Sequence, residues 1–295
     1  MKLYGAYVAL ITPFKKDGSV DYEKLESLVE FQIQNGISGI VACGTTAETP
    51  TLSIDEYKAV ISTVVKKVNK RVTVIAGAGS NSTSHAIELT KICKDLGADI
   101  VLSTCPYYNK PSQRGIIEHF TKISEVGIPI LVYNVPGRTG VNILPQTIAK
   151  LSENEMIIGV KEASGNIDQM IQIHKLCRND FNLLSGDDNL IMPTYAIGAC
   201  GVISVIANIL PDKTSKFYHI QGEEQLKLHE YLYDISKNLF IEGNPVTVKE
   251  AMDILGLSNN VVRLPLVSAE AKTREILIEL FKKKGLLWNL QNIKD

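Results

Sequence analysis

Residues 129–162 read PILVYNVPGRTGVNILPQTIAKLSENEMIIGVKE, and this stretch decides the architecture. Two short apolar runs, Pro129–Asn134 and Ile157–Glu162, flank a helical pattern that starts at Pro145. Neither run alternates apolar with polar residues. Continuously apolar strands are those covered by helices on both faces. The same strand-then-helix unit recurs upstream. Gly5–Thr12 precedes an amphipathic run over Asp21–Asn35, with Leu25, Leu28, Val29 and Ile33 on one face. Gly39–Ala42 precedes Ser53–Val68, where Ser53 and Glu56 have capping-box spacing. Val72–Ala76 precedes Ser82–Leu96, and Ile100–Ser103 precedes Ser112–Val126. Downstream, Ile157–Glu162 leads into Asn166–Arg178, Asn182–Ser185 into Asn189–Ile197, and Gly201–Val205 into Pro211–Ile220.

Eight such units in about 220 residues fit an α/β fold of the (β/α)8 TIM-barrel class. A doubly wound open sheet fits less well, because the first strand-to-helix turn lacks a GxGxxG fingerprint. Beyond residue 222 the strand signals stop. Glu223–Phe240, Thr247–Leu255 and Ala269–Lys284 read as three helices, with Pro245 and Pro265 at the joins and Gly285 where a C-cap would sit. The expected division is a catalytic barrel over 1–222 and a C-terminal three-helix appendix over 223–295.

The chain has 295 residues, 45% hydrophobic and 21% charged, with a formal net charge of −1, so it has no basic excess for nucleic acid. No apolar stretch reaches the roughly 18 residues of a membrane span. The N-terminus lacks a signal-peptide apolar core and cleavage site, which sets the expectation of a cytoplasmic protein. The five cysteines, Cys43, Cys93, Cys105, Cys177 and Cys200, form no CxxC pair. They suit reduced, mostly buried thiols, although spacing leaves a chance disulfide open. His85, His119, His174, His219 and His229 fall in predicted helices and form no HxH or HExxH pattern, so no metal site is expected.

In a barrel of this class the active site gathers at the C-terminal ends of the strands. Lys161 closes strand six. Burial disfavours an ammonium and favours the free amine, the form that attacks a carbonyl. Alone, Lys161 reads equally well as a strand-end lysine that snorkels to solvent or pairs with Glu162. Other rim groups converge with it: Thr45 and Thr46 after strand two, Tyr107 and Tyr108 after strand four, Tyr133 and Arg138 after strand five, Gly186 after strand seven, and Ile203 in strand eight. These groups suit carbonyl chemistry on an anionic substrate: an imine-forming amine, a phenol to shuttle protons, hydroxyls for a small carboxylate and a guanidinium fork for a second one. Taken singly, each has a commoner structural role, the threonines as turn residues above all. Asp187 and Asp188 would repel a phosphate and read as helix-capping residues.

GTTAE (44–48), PYYNKPSQ (106–113), YNVPGRTG (133–140), GVKEASGN (159–166), LLSGDD (183–188) and GVISV (201–205) occur in order. In these motifs the chain resembles the dihydrodipicolinate synthase family, of the pyruvate-dependent class I aldolase superfamily, over nearly its whole length. The resemblance implies that Lys161 forms a Schiff base with pyruvate and that Tyr133 shuttles protons. It implies that Thr45 links Tyr133 to a Tyr108 donated by a neighbouring subunit. Thr46 would bind the pyruvate carboxylate and Arg138 the carboxylate of L-aspartate 4-semialdehyde. Gly186 and the Ile203 main chain would line the pocket. The implied assembly is a homotetramer, a dimer of dimers, with no external cofactor.

Arg138 separates this family from the sialate-lyase branch, an N-acetylneuraminate lyase-like alternative whose members resemble it in the lysine and tyrosine but lack that arginine. A catalytically silent barrel that binds a small carboxylate is a further reading, which a fold alone does not exclude.

Two departures from the family pattern stand out. Ala47 replaces a glycine of the usual GTTGE; a left-handed backbone there would cost about 1 kcal/mol, and a right-handed one nothing. Lysine-inhibited relatives carry histidines after this loop and a glutamate in the next helix. The matching positions here are Ile54, Tyr57 and His85, with Asn81 and Tyr107 retained. The resemblance therefore implies weak or absent inhibition by free lysine.

Overall fold

The computed structural model describes residues 1–287. Eight parallel strands close into a barrel in chain order. They are β1 (Gly5–Ala9), β2 (Gly39–Ala42), β3 (Thr73–Gly77), β4 (Ile100–Thr104), β5 (Ile130–Asn134), β6 (Ile157–Glu162), β7 (Asn182–Ser185) and β8 (Gly201–Ser204). β8 pairs with β1, Tyr7 opposite Ile203, which closes the ring. Around it lie α1 (Tyr22–Gln34), α2 (Ile54–Val68), α3 (Thr83–Asp95), α4 (Gln113–Ser124), α5 (Pro136–Thr139), α6 (Pro145–Ser152), α7 (Ile167–Leu176), α8 (Ile191–Ala196) and α9 (Pro211–Lys216). The TIM-barrel expectation is borne out.

Local chemistry explains the helix starts. The side chains of Asp21, Ser82, Ser112 and Asn166 each accept a hydrogen bond from a first-turn N–H of the helix they precede. Ser53 and Glu56 form both halves of the expected capping box on α2. α5 was not foreseen: Pro136-Gly137-Arg138-Thr139 makes one helical turn directly after β5, started by a proline whose fixed φ suits the first position.

Side chains of alternate strand residues fill the barrel, among them Tyr7, Val41, Ile75, Leu102, Leu131, Tyr133, Leu184 and Ile203. The opposite faces of β5 and β6 pack under helices through Ile130, Val132, Ile157 and Val160. One irregularity matters for the site. Ile130 pairs with Ile157, but Leu131 pairs with Gly159, so β6 carries an extra residue there. Strict alternation from the outward Ile157 would aim Lys161 outward as well. The bulge reverses the phase, and Lys161 then pairs with the inward Tyr133.

Three helices follow, α10 (Gly222–Asn238), α11 (Val246–Ile254) and α12 (Ala271–Lys283), and Gly285 takes the left-handed conformation just past the last, φ 70°. Leu232, Leu239, Met252, Leu277 and Phe281 from these helices share one apolar cluster with barrel residues such as Leu10, Phe14 and Ile206. Residues 288–295 of the expected C-terminal unit lie outside the described residues. Among the described residues no helix is long and apolar enough to cross a membrane.

Candidate active site

Lys161 stands near the end of β6 with only 6% of its surface exposed. Its Nζ lies 4.3 Å from the centre of the Tyr133 ring, a cation–π contact. Among the described residues no carboxylate forms an ion pair with it, so pairing with Glu162, open from sequence, is not what the structure contains. Glu162 points the other way across the strand. Its buried carboxylate accepts hydrogen bonds from Asn134 Nδ2 at 2.9 Å, Ser164 N at 2.8 Å and Gln169 Nε2 at 3.1 Å. Burial raises the Glu162 pKa, and these donors oppose the rise. Asn134 also accepts from Ile143 N and donates to Asn142, which fixes the chain that returns from α5.

Gly186 leaves room for the lysine. A Cβ there would come within 3.0 Å of Lys161 Cε and 2.6 Å of Ala163 Cβ. Next to it, burial pushes the Asp187 carboxyl up to about 6; Lys161 pulls it down, while Asp188 and Glu162 push it up. Asp188 caps a helical turn, but not its own. Its Oδ2 accepts from Val205 N at 2.8 Å and Ile206 N at 3.0 Å, in the loop after the neighbouring strand β8. Asp187 makes no side-chain cap.

Thr45, Thr46 and Ala47 form a single 3-10 turn after β2. Ala47 is free of left-handed strain. The left-handed residues that flank this turn are Cys43, φ 52°, and Glu48, φ 55°, so the departure from glycine carries no backbone cost. Thr46 is buried, and its Oγ1 accepts from Asn244 Nδ2 at 2.9 Å. Arg138, exposed on α5, donates to the Asn244 carbonyl at 3.2 Å. Asn244 thus bridges the two groups expected to hold carboxylates, and its buried Oδ1 has no partner among the described residues. Sequence reading missed it, since Gly243-Asn244-Pro245 signals only a turn.

Tyr133 and Ile203 both lie in the barrel interior. Tyr108 does not join them. It is 89% exposed, left-handed at φ 73°, on a loop tied to the β3 side by Asn109 Nδ2 donating to Asn81 O at 2.8 Å. No hydrogen bond joins Thr45 to Tyr133 among the described residues. One chain therefore gathers Lys161, Tyr133, Thr45, Thr46, Arg138, Gly186 and Ile203 at one end of the barrel and turns Tyr108 away. Of the positions that bear on lysine inhibition, Tyr57 is a core residue whose hydroxyl donates to Gly77 O at 2.8 Å, while Ile54 and His85 are exposed. All five cysteines are free thiols.

The pattern of the Dihydrodipicolinate synthetase family matches residues 2–284. The chain belongs to this family. It is 52% identical over 288 residues to a 4-hydroxy-tetrahydrodipicolinate synthase of Citrifermentans bemidjiense, covering 96% of this chain and 99% of that protein. It is 48% identical to the Geobacter metallireducens protein of the same name, with the same coverage. Among solved structures, dihydrodipicolinate synthase from Aquifex aeolicus is similar at a TM-score of 0.93 and 44% identity, covering 96% of this chain and 99% of that one. The enzyme from Acinetobacter baumannii, solved in complex with pyruvate, matches at a TM-score of 0.94 and 41% identity over 96% of this chain and 99% of that one. The likeness to this family thus extends along nearly the whole of this chain.

Proposed function

We propose that Lys161 forms a Schiff base with pyruvate and that the resulting enamine condenses with L-aspartate 4-semialdehyde. As a member of its family the chain is an enzyme, a Schiff-base-forming synthase of diaminopimelate and lysine biosynthesis. The observation that carries the residue assignment is the inward turn of Lys161 at the β6 bulge, which sets a buried amine over the Tyr133 ring.

In this reading the Lys161 amine adds to C2 of pyruvate and water leaves. A C3 proton then departs through the Tyr133 phenol, giving the enamine. C3 attacks the aldehyde carbon, and the new alkoxide takes a proton back. The amine of the second substrate next displaces Lys161 from the imine carbon, which closes the ring and frees the enzyme. Thr46 holds the pyruvate carboxylate and Arg138 that of the semialdehyde, the planar fork matching a carboxylate. Gly186 and the Ile203 main chain line the pocket. Thr45 relays between Tyr133 and Tyr108 of a second copy, which accounts for a tyrosine held out in solvent on a left-handed backbone. Activity then needs a dimer, within a dimer of dimers, in the cytoplasm.

The test is a coupled assay with pyruvate, L-aspartate semialdehyde and a downstream NADPH-dependent reductase. Turnover is expected, to vanish in Lys161→Ala and fall steeply in Arg138→Ala. Trapping of pyruvate by borohydride on Lys161 without turnover would move the second substrate to a sugar-acid precursor. The positions of Ile54, Tyr57 and His85 leave no carboxylate to meet a lysine ammonium, so free lysine is expected to inhibit weakly or not at all. A submillimolar inhibition constant would refute that.

A further inference from the structure

A buried ion pair that the reaction scheme does not use ends the Thr45–Ala47 turn. Glu48, left-handed at φ 55°, turns its carboxylate into the protein, where Oε1 lies 2.5 Å from Lys249 Nζ of α11, both side chains at 0% exposure. The other oxygen accepts from the Arg263 backbone N–H at 2.9 Å. Lys249 also donates to the Val261 carbonyl at 2.9 Å. The Phe14 ring centre lies 4.1 Å from Lys249 Nζ and 4.4 Å from Arg263 Cζ. Arg263 donates onward to the Thr51 and Gly18 carbonyls and to Glu56. Residues 48–56, which carry the chain from the turn into α2, are thus held at several points by residues 249–263.

Stability alone does not account for this knot. Burying two charges costs as much as their attraction returns, and apolar pairs of the same volume often serve as well. Direction is what the knot adds. Two fixed donors, one on each oxygen, hold the Glu48 carboxylate, and with it the backbone only two residues from Thr46. Thr46 is itself held from the same side by Asn244.

We propose that Glu48 is a positioning residue: clamped by Lys249 and Arg263, it sets the Thr45–Thr46 turn against the pyruvate carboxylate, so the C-terminal helices belong to the substrate site. The inference rests on the reading of Thr46 as the carboxylate's partner. A displacement of about 1 Å in such a group is enough to cost up to a hundredfold in rate.

The experiment compares wild type, Glu48→Gln and the double variant Glu48→Gln/Lys249→Met by thermal unfolding, by the pyruvate concentration that half-saturates borohydride trapping on Lys161, and by KM for the semialdehyde. The double variant removes both charges together and is expected to melt as high as wild type. Its half-saturating pyruvate concentration is expected to rise about tenfold, with the aldehyde KM within about twofold. A double variant with wild-type melting and wild-type pyruvate saturation overturns the inference. Should the neutral variants fail to fold, Glu48→Asp keeps the charge and withdraws it by one methylene. The same rise in pyruvate concentration is expected there, and wild-type saturation again overturns the inference. Trapping in wild type with no change in any folded variant sinks the inference alone. No trapping in wild type sinks the functional reading, and the inference with it.

Discussion

Lys161 and Lys249 are both buried lysines, and their surroundings are opposite. Lys249 sits among the C-terminal helices with a carboxylate at 2.5 Å, a carbonyl at 2.9 Å and an aromatic ring at 4.1 Å. Lys161 sits at the mouth of the barrel with an aromatic ring at 4.3 Å and no ion-pair partner among the described residues. A buried charge must be compensated or kept within reach of water and ligand. Full compensation makes Lys249 a fixture of the fold, even though burial pushes its ammonium down to about 8 against the pull of Glu48. The uncommitted amine of Lys161 is the one available to a carbonyl.

The sharpest way to break this contrast is to remove each amine in turn. Lys161→Met is expected to abolish pyruvate trapping and lower turnover by about 10⁴-fold or more, as loss of a covalent nucleophile does. Its melting midpoint should match or exceed wild type, because a buried polar group without an ion-pair partner among the described residues is gone. A midpoint well below wild type would mean that Lys161 holds the fold. Lys249→Met is expected to do the reverse. It strands the Glu48 carboxylate and should destabilise the protein by about 3–5 kcal/mol in denaturant unfolding. An unchanged midpoint would show that Lys249 is dispensable to stability.

His119 sharpens the comparison as a third buried base, one that escapes by staying neutral. Thr83 Oγ1 lies 2.9 Å from its Nδ1, its Nε2 has no partner among the described residues, and burial pushes it down to about 4. The unfolded chain takes up this proton near pH 6.5 and the folded one only near pH 4. The unfolded state therefore binds more protons in that window, and stability falls as pH drops through it, by roughly 3 kcal/mol from this group. His119→Phe should flatten that acid limb in unfolding measured from pH 7 to pH 4. The smallest expected effect tests the ring under Lys161. Tyr133→Phe keeps the ring and removes the phenol, so pyruvate trapping should persist while turnover falls about a hundredfold. Loss of trapping instead would assign the phenol to imine formation.

The barrel was legible because each strand is a short apolar run closed by turn residues. The helix starts were legible because Ser53, Ser82, Ser112 and Asn166 cap through their own side chains, a local interaction. The strand-end rule brought Lys161, Tyr133, Thr45, Thr46 and Arg138 together before any coordinates. Lys249 left a trace too, as a charge amid the apolar residues of VTVKEAMDI, but its partner lies 201 residues away. Asp188 reads as a local cap and instead bonds amides 17 and 18 residues downstream. Asn244 left no chemical trace, because its partners Thr46 and Arg138 meet it only when the C-terminal segment folds back over the rim.

By itself the sequence determined the period of the pattern, the caps and the kinds of chemistry available, since each depends on neighbours a few residues apart. Only the tertiary structure decided which way Lys161 points. One extra residue in β6 reverses the alternation, and register is a property of two paired strands, not of one. Tertiary structure likewise decided which buried lysine is neutralised, because compensation of a charge depends on what packs against it in space.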